Sequence, residues 1–272
     1  MLAVLILGAF LLLGLAVAMV AAWKIALRTE RSGWIDAIWT FSVGAAGTLA
    51  ALAPLPHGAF APRQYLVAAL VAVWSLRLGV HIALRTNSAG DDPRYAQLRK
   101  EWGTSYSQRL FWFVQVQAAA AVPLVLSIMV AAHNPILGLG AGDWIGAVVF
   151  GVAIAGEAAA DRQLSDFRAD PRNKGRVCDA GLWAYSRHPN YFFEWLIWMA
   201  YVFIAVDFAG RYPYGWLSLA GPVLMYWLLV HVSGIPLLEA HMLRSRGEAF
   251  RSYQERTNAF WPGLSRKQRD VD

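Results

Sequence analysis

Leu2-Ala-Val-Leu-Ile-Leu-Gly-Ala-Phe-Leu-Leu-Leu-Gly-Leu-Ala-Val-Ala-Met-Val-Ala-Ala-Trp23 carries no charged side chain from end to end. A helix needs roughly 20 apolar residues to cross a bilayer, so this stretch reads as a membrane span. It is too long for a signal-peptide core and has no basic flank before it, which predicts a retained helix. Six further stretches follow the same rule. They run from Ile35 to about Pro54, Tyr65 to Leu84, Leu110 to Ala132, Trp144 to Ala160, Asn190 to Val206 and Tyr214 to Leu238. The whole chain is 57% hydrophobic and only 15% charged, against about a quarter charged in soluble proteins. Disorder is excluded at this hydrophobicity. The single cysteine, Cys178, excludes a disulfide scaffold. The predicted fold class is all-α, a seven-transmembrane helix bundle forming one membrane domain over residues 1–272.

The cations set the expected orientation. All but three of the 24 Lys and Arg residues fall in the first, third and fifth connections or in the tail. The exceptions are Arg63 and Arg211, in even connections, and Arg77, inside the third span. Positively charged loops stay cytoplasmic, so seven spans place the N-terminus outside and the C-terminus in the cytoplasm. Trp23, Trp34, Trp112, Trp144, Trp195 and Trp216 fall near span ends, as interfacial anchors do. A lipid bilayer is thus an expected partner. Nucleic acid is not, because the excess of basic residues is explained by topology. The oligomeric state stays open, a monomer being compatible with the pattern.

Polar residues inside the spans carry the functional signal, because a charge in hydrocarbon is costly unless it faces the bundle interior. Asp36, Arg77, Glu157 and Glu194 are the four candidates. Arg77 lies deepest and needs an internal partner; Asp36 is one option and a bound anion another. Glu157, Asp161 and Arg168 lie at i, i+4 and i+11, one face of a helix that continues out of the membrane. Carboxylates there suit ribose hydroxyls or a carboxamide. The neighbouring Arg168, Arg172, Lys174 and Arg176 suit phosphate, since guanidinium pairs bidentately with its oxygens. A solvated helical stem laced with ion pairs accounts for the same charges.

Gly181-Leu-Trp-Ala-Tyr-Ser-Arg-His-Pro-Asn-Tyr-Phe-Phe-Glu194 then packs Tyr185, Arg187, His188, Asn190, Tyr191 and Glu194 around the start of the sixth span. Asn190, Tyr191 and Glu194 share one helix face. In the tail, Glu239 to Tyr253 reads as an amphipathic helix, a break at Gly247 and a second short helix. Glu239 and His241 are expected to line the same pocket as Asn190, or else to pack at the interface.

The Gly181–Glu194 pattern resembles the signature of the steroid 5α-reductase superfamily, in its bacterial branch. Gly247, Glu248, Tyr253, Thr257 and Phe260 of the tail resemble that branch too, so the likeness covers about residues 150–262. In the N-terminal half it rests on the span pattern, Asp36-x-x-Trp39 and the Trp74-x-x-Arg77 spacing. The resemblance implies a multi-pass protein of the bacterial inner membrane. The implied activity is NADPH-dependent reduction of a carbon–carbon double bond conjugated to a ketone, in a hydrophobic steroid-like substrate.

By the same resemblance Arg77, Glu157, Asp161, Arg168, Arg176, Tyr185, Asn190, Glu194 and Trp198 hold the cofactor. Arg172, Lys174, Glu239 and His241 join them on charge and position. Two departures stand out. Glu157 replaces an asparagine of the human enzymes, and Trp74 replaces the tyrosine that helps bind their substrate ketone. Their second-span glutamate has no secure counterpart here; Asp36 is the best candidate for the acid group. A carboxyl in an apolar site favours its neutral form and can donate to a ketone. Direct pairing with Arg77 would abolish that role.

An S-adenosylmethionine-dependent methyltransferase of the isoprenylcysteine or phospholipid type shares an Arg-His-Pro-x-Tyr segment. Such enzymes usually carry paired glutamates in the tail, where this chain has Glu239-Ala240-His241. A retinal-binding seven-helix protein would need a Schiff-base lysine, and Tyr214–Leu238 contains none. No metal site is expected from one cysteine and two distant histidines, His188 and His241.

Overall fold

The computed structural model describes residues 2–55, 61–88 and 91–264. The tail cations Arg266, Lys267 and Arg269 lie outside them. The described residues are all-helical, without strands. The helices are α1 (Leu2–Thr29), α2 (Gly33–Leu52), α3 (Ala61–Ser88), α4 (Pro93–Trp102), α5 (Tyr106–Ala132), α6 (Ala141–Ala169), α7 (Pro189–Ala205), α8 (Ala220–Trp227), α9 (Ile235–Arg246) and α10 (Glu248–Arg256). Among the described residues, six helical segments are long and apolar enough to cross a membrane, as a multi-pass membrane protein requires. On α1, Leu2, Leu5, Ile6, Phe10, Leu13 and Val17 are all exposed. In water such a surface would be a liability; in lipid it is the expected outer face, because every backbone group of a helix is satisfied internally.

The chain forms two compact units. The first comprises Met1–Ala147 and Tyr201–Leu224. Its buried core includes Met19, Ile35, Val43, Val67, Val71, Trp74, Leu110, Leu124 and Ile128. Apolar side chains gain little by leaving lipid for protein, so close packing must hold the helices together. Glycines allow that approach between α2 and α3. A Cβ on Gly44 would run into the Ser75 side chain, and one on Gly79 into the Phe41 ring. Ser75 Oγ also donates to the Thr40 carbonyl, 3.1 Å away on α2.

Arg63 is 2% exposed, unlike an ordinary loop cation. Its Nε and Nη2 donate to Asp143 at 2.7 and 2.9 Å. The same guanidinium donates to the carbonyls of Asn134, Ile136 and Gly138 at 2.8, 2.6 and 2.7 Å. It therefore fixes the connection between α5 and α6, with its charge paired and its donors used, which is what makes burial tolerable.

The second unit comprises Val148–Ala200 and Met225–Asp272. Here α6 ends at Ala169. Asp170 then caps a short 3-10 turn, Pro171–Asn173, by accepting from the Arg172 backbone N–H. A second such turn, Gly181–Ala184, begins at a glycine with φ of 62° and leads to α7.

The stretch predicted as a seventh span is not one α-helix. It runs through a 3-10 segment (Pro213–Leu219), α8, a π-turn (Leu228–Val232) and α9. Pro236 lacks an N–H and cannot continue a helical ladder. The Leu228 carbonyl instead accepts from the backbone N–H groups of both Ser233 and Gly234, at 2.8 and 3.2 Å. α7 has 17 residues, about 25 Å of rise, at the short end of spanning lengths.

Candidate functional site

In the second unit, the Ser186-Arg187-His188-Pro189 turn is tied to the tail by side-chain and backbone bonds. Glu239 on α9 is the hub. Its Oε1 accepts from Arg187 Nε at 2.8 Å and His188 Nε2 at 2.9 Å. Its Oε2 accepts from Arg187 Nη2 at 3.1 Å and Gln254 Nε2 at 2.6 Å. Arg187 Nη1 donates further, to the carbonyls of Gln254 and Thr257. Ser186 Oγ donates to the carbonyls of Ala259 and Phe260. Tyr253 Oη donates to the Trp183 carbonyl at 2.5 Å, and burial raises its pKa far above the phenol range.

The Glu239 carboxylate is thus occupied in positioning the turn. His241, two residues on, is half-buried. Burial lowers the pKa of His188, so its neutral form is favoured. Its ring stacks on Tyr191, with centroids 5.4 Å apart.

The fixed turn sets the register of α7. Asn190 in its first turn donates through Nδ2 to Asp161 Oδ1 on α6, at 3.4 Å. Glu194, one turn further, is 6% exposed and accepts from Trp198 Nε1 at 3.0 Å. Glu157, one turn before Asp161 on α6, is 4% exposed. The unit therefore carries carboxylates on α6 and α7, with a cationic run that starts in the last turn of α6 and continues beyond it. In that run Arg168, Arg172, Lys174 and Arg176 are exposed. Arg172 is engaged by Asp170, whose carboxyl it holds below the usual range. Tyr185 is 45% exposed beside the turn. The acceptors are matched to hydroxyl and amide donors, and the cations to phosphate.

Asp36, Trp74 and Arg77 belong to the first unit. Trp74 is fully buried and Arg77 half-buried on α3. Asp36 pairs with Arg94, which the sequence places only among the cations of the third connection: Arg94 Nη2 lies 2.5 Å from Asp36 Oδ2. Tyr95 Oη donates to Asp36 Oδ1 at 3.0 Å. Both residues begin α4, a helix inside what the sequence suggested was only a loop. Its signal was Asp92-Pro93: Asp92 accepts from the Arg94 backbone N–H, and proline suits the first helical position. The hub at Glu239 was half-legible. Arg187, His188 and Glu239 had each been marked, but sequence spacing did not pair them.

Fold and site define a polytopic membrane protein with acidic groups buried on its helices and a basic segment beyond them. The chain belongs to the DUF1295 family of proteins of unknown function, whose model matches residues 22–257. That family includes steroid 5α-reductase-like proteins. Among curated proteins the chain is similar to an uncharacterized protein of Schizosaccharomyces pombe. The two are 25% identical over 279 residues, which cover 92% of this chain and 78% of that protein. No solved structure matches.

Proposed function

We propose that this protein is a seven-span, NADPH-dependent reductase of the double bond of an enone, acting on a 3-oxo-4-ene steroid or a similar isoprenoid lipid. The carrying observation is the Asn190–Asp161 contact, which joins the start of α7 to α6. It brings the Arg-His-Pro-Asn segment onto the helix bearing Glu157 and leading into the cationic run. That donor set fits a dinucleotide: Glu157, Asp161, Asn190 and Glu194 for ribose hydroxyls and the carboxamide, and Arg168, Lys174 and Arg176 for the phosphates. Bound NADPH would supply the hydride that reaches the β-carbon of the enone.

The protein's own part is to bind, orient and stabilise. The Glu239 hub holds the turn, and the turn holds Asn190. A hydrogen-bond donor must meet the carbonyl oxygen as charge develops on it. In this reading Asp36 and Trp74 of the first unit are the substrate-side residues. The N-terminus lies outside a bacterial inner membrane and the basic segments face the cytoplasm, where NADPH is available.

Mass spectrometry of the small molecule copurifying in detergent tests the class. NADPH supports it, and S-adenosylmethionine would replace it with a methyltransferase. Purified protein should bind NADPH more tightly than NADH. Asn190→Ala should lose at least tenfold in NADPH affinity while eluting normally in gel filtration, since one polar contact commonly carries that much. An unchanged affinity in a folded variant would remove Asn190 from the site.

A further inference from the structure

The Asp36 cluster in the first unit reaches further than an ion pair. Gln117 on α5 donates through Nε2 to Tyr95 Oη at 3.2 Å, and Tyr95 Oη donates to Asp36 Oδ1. Asp36 also accepts from Arg94, which is held on its other side by Asp92. Trp39 Nε1 fixes the backbone of α5 here by donating to the Gln117 carbonyl at 3.0 Å. The chain of donation has a direction, from amide to phenol to carboxylate. Turning the amide over would set its oxygen against the lone pairs of the Tyr95 oxygen.

Gln117 Oε1 therefore faces away from Tyr95. It is shielded from solvent and has no hydrogen-bond partner among the described residues. A buried acceptor left without a donor carries its full desolvation penalty. The cluster is not sealed: the Asp36 and Arg94 side chains keep 22% and 28% of their exposure. The terminal amide torsion of glutamine is soft, and a modest rotation presents the oxygen to an arriving group.

We propose that Gln117 is a specificity-determining residue that accepts a hydrogen bond from a hydroxyl group of the lipid substrate. The inference rests on the reductase reading and adds to it a second recognised group, apart from the enone. Only a donor satisfies an amide oxygen. A ketone in the same place would oppose two acceptors and leave both unsatisfied, so the site discriminates an alcohol from its oxidised counterpart.

Testosterone and androst-4-ene-3,17-dione share the enone and differ in carrying a hydroxyl or a ketone at the far ring. Their dissociation constants are measured on the purified full chain by quenching of tryptophan fluorescence, without cofactor. Testosterone should bind about tenfold more tightly. Gln117→Met, close to isosteric, should bring the two constants together. Tyr95→Phe removes the partner that orients the amide and should narrow the gap; it decides the matter if Gln117→Met does not fold. Equal affinities in the wild type, binding of neither steroid, or a preference that survives in a folded Gln117→Met variant would overturn the inference. Failure of the reductase reading shows separately, as absent affinity for NADPH in a titration without steroid.

Discussion

Arg187 and Glu239 show why single residues matter more here than the number of surface cations. The pair is nearly buried, with side chains 11% and 12% exposed. Removing one partner leaves the other charged and enclosed, at a cost of about 3 kcal/mol or more. Arg187→Ala and Glu239→Gln should each lower the detergent melting temperature. The double variant should lose less than the sum, because the partners are coupled. Equal, additive losses would mean that the pair is not a unit.

His188 adds a pH dependence whose sign follows from its burial. Its pKa is lowered from the ordinary 6.5, so the folded chain takes up fewer protons than the unfolded one below that pH. Its contribution is full above 6.5 and declines as pH falls towards the lowered value. The stability gap between wild type and His188→Gln should therefore narrow from pH 7 to pH 5. A constant gap would mean that His188 does not titrate in this window. Histidine, arginine and glutamate are conspicuous near apolar spans, so the sequence singles these residues out. It did not pair them, because about fifty residues separate positions 188 and 239 and no local period links them.

At the level of elements, most helices could be read in advance from uninterrupted apolar length. α1, α2, α3, α5 and α6 each overlap the stretch that predicted them. α4 was missed because it has no apolar run of its own; only its capping residues announce it. The last stretch keeps the length and hydropathy of a span, Pro213–Arg246, but is built from four successive helical segments, which apolar composition does not report. Glycine acts at this scale too. Gly44→Val would drive a branched side chain into Ser75 across the α2–α3 contact. Overpacking of this kind costs about 1–3 kcal/mol, well beyond any gain in helix propensity. The variant should melt lower than wild type, whereas Gly8→Val, with nothing near its Cβ position, should not. Similar melting of the two would show that the α2–α3 approach tolerates bulk.

For the whole molecule, the proposed orientation makes a direct prediction. In a Cys178→Ser background, a cysteine at Leu137, which is 84% exposed, should react with an impermeant maleimide on intact cells. One at Lys174 should react only after permeabilisation. The reverse pattern would invert the topology. The proposed orientation rests on the distribution of cations along the sequence. The division into two units was not legible there, because apolar composition is uniform across their boundary.

The strap formed by residues 239–263 also bears on biogenesis. The turn at 182–190 gets its partners from residues synthesised about fifty to seventy-five positions later. A ribosome that has completed α7 has made a membrane-inserted but unfinished product. Its buried-to-be arginine lacks its carboxylate until translation reaches Glu239, and its last carbonyl partner until Thr257. An interrupted chain would carry that defect permanently, and quality-control proteases could tell it from the mature protein.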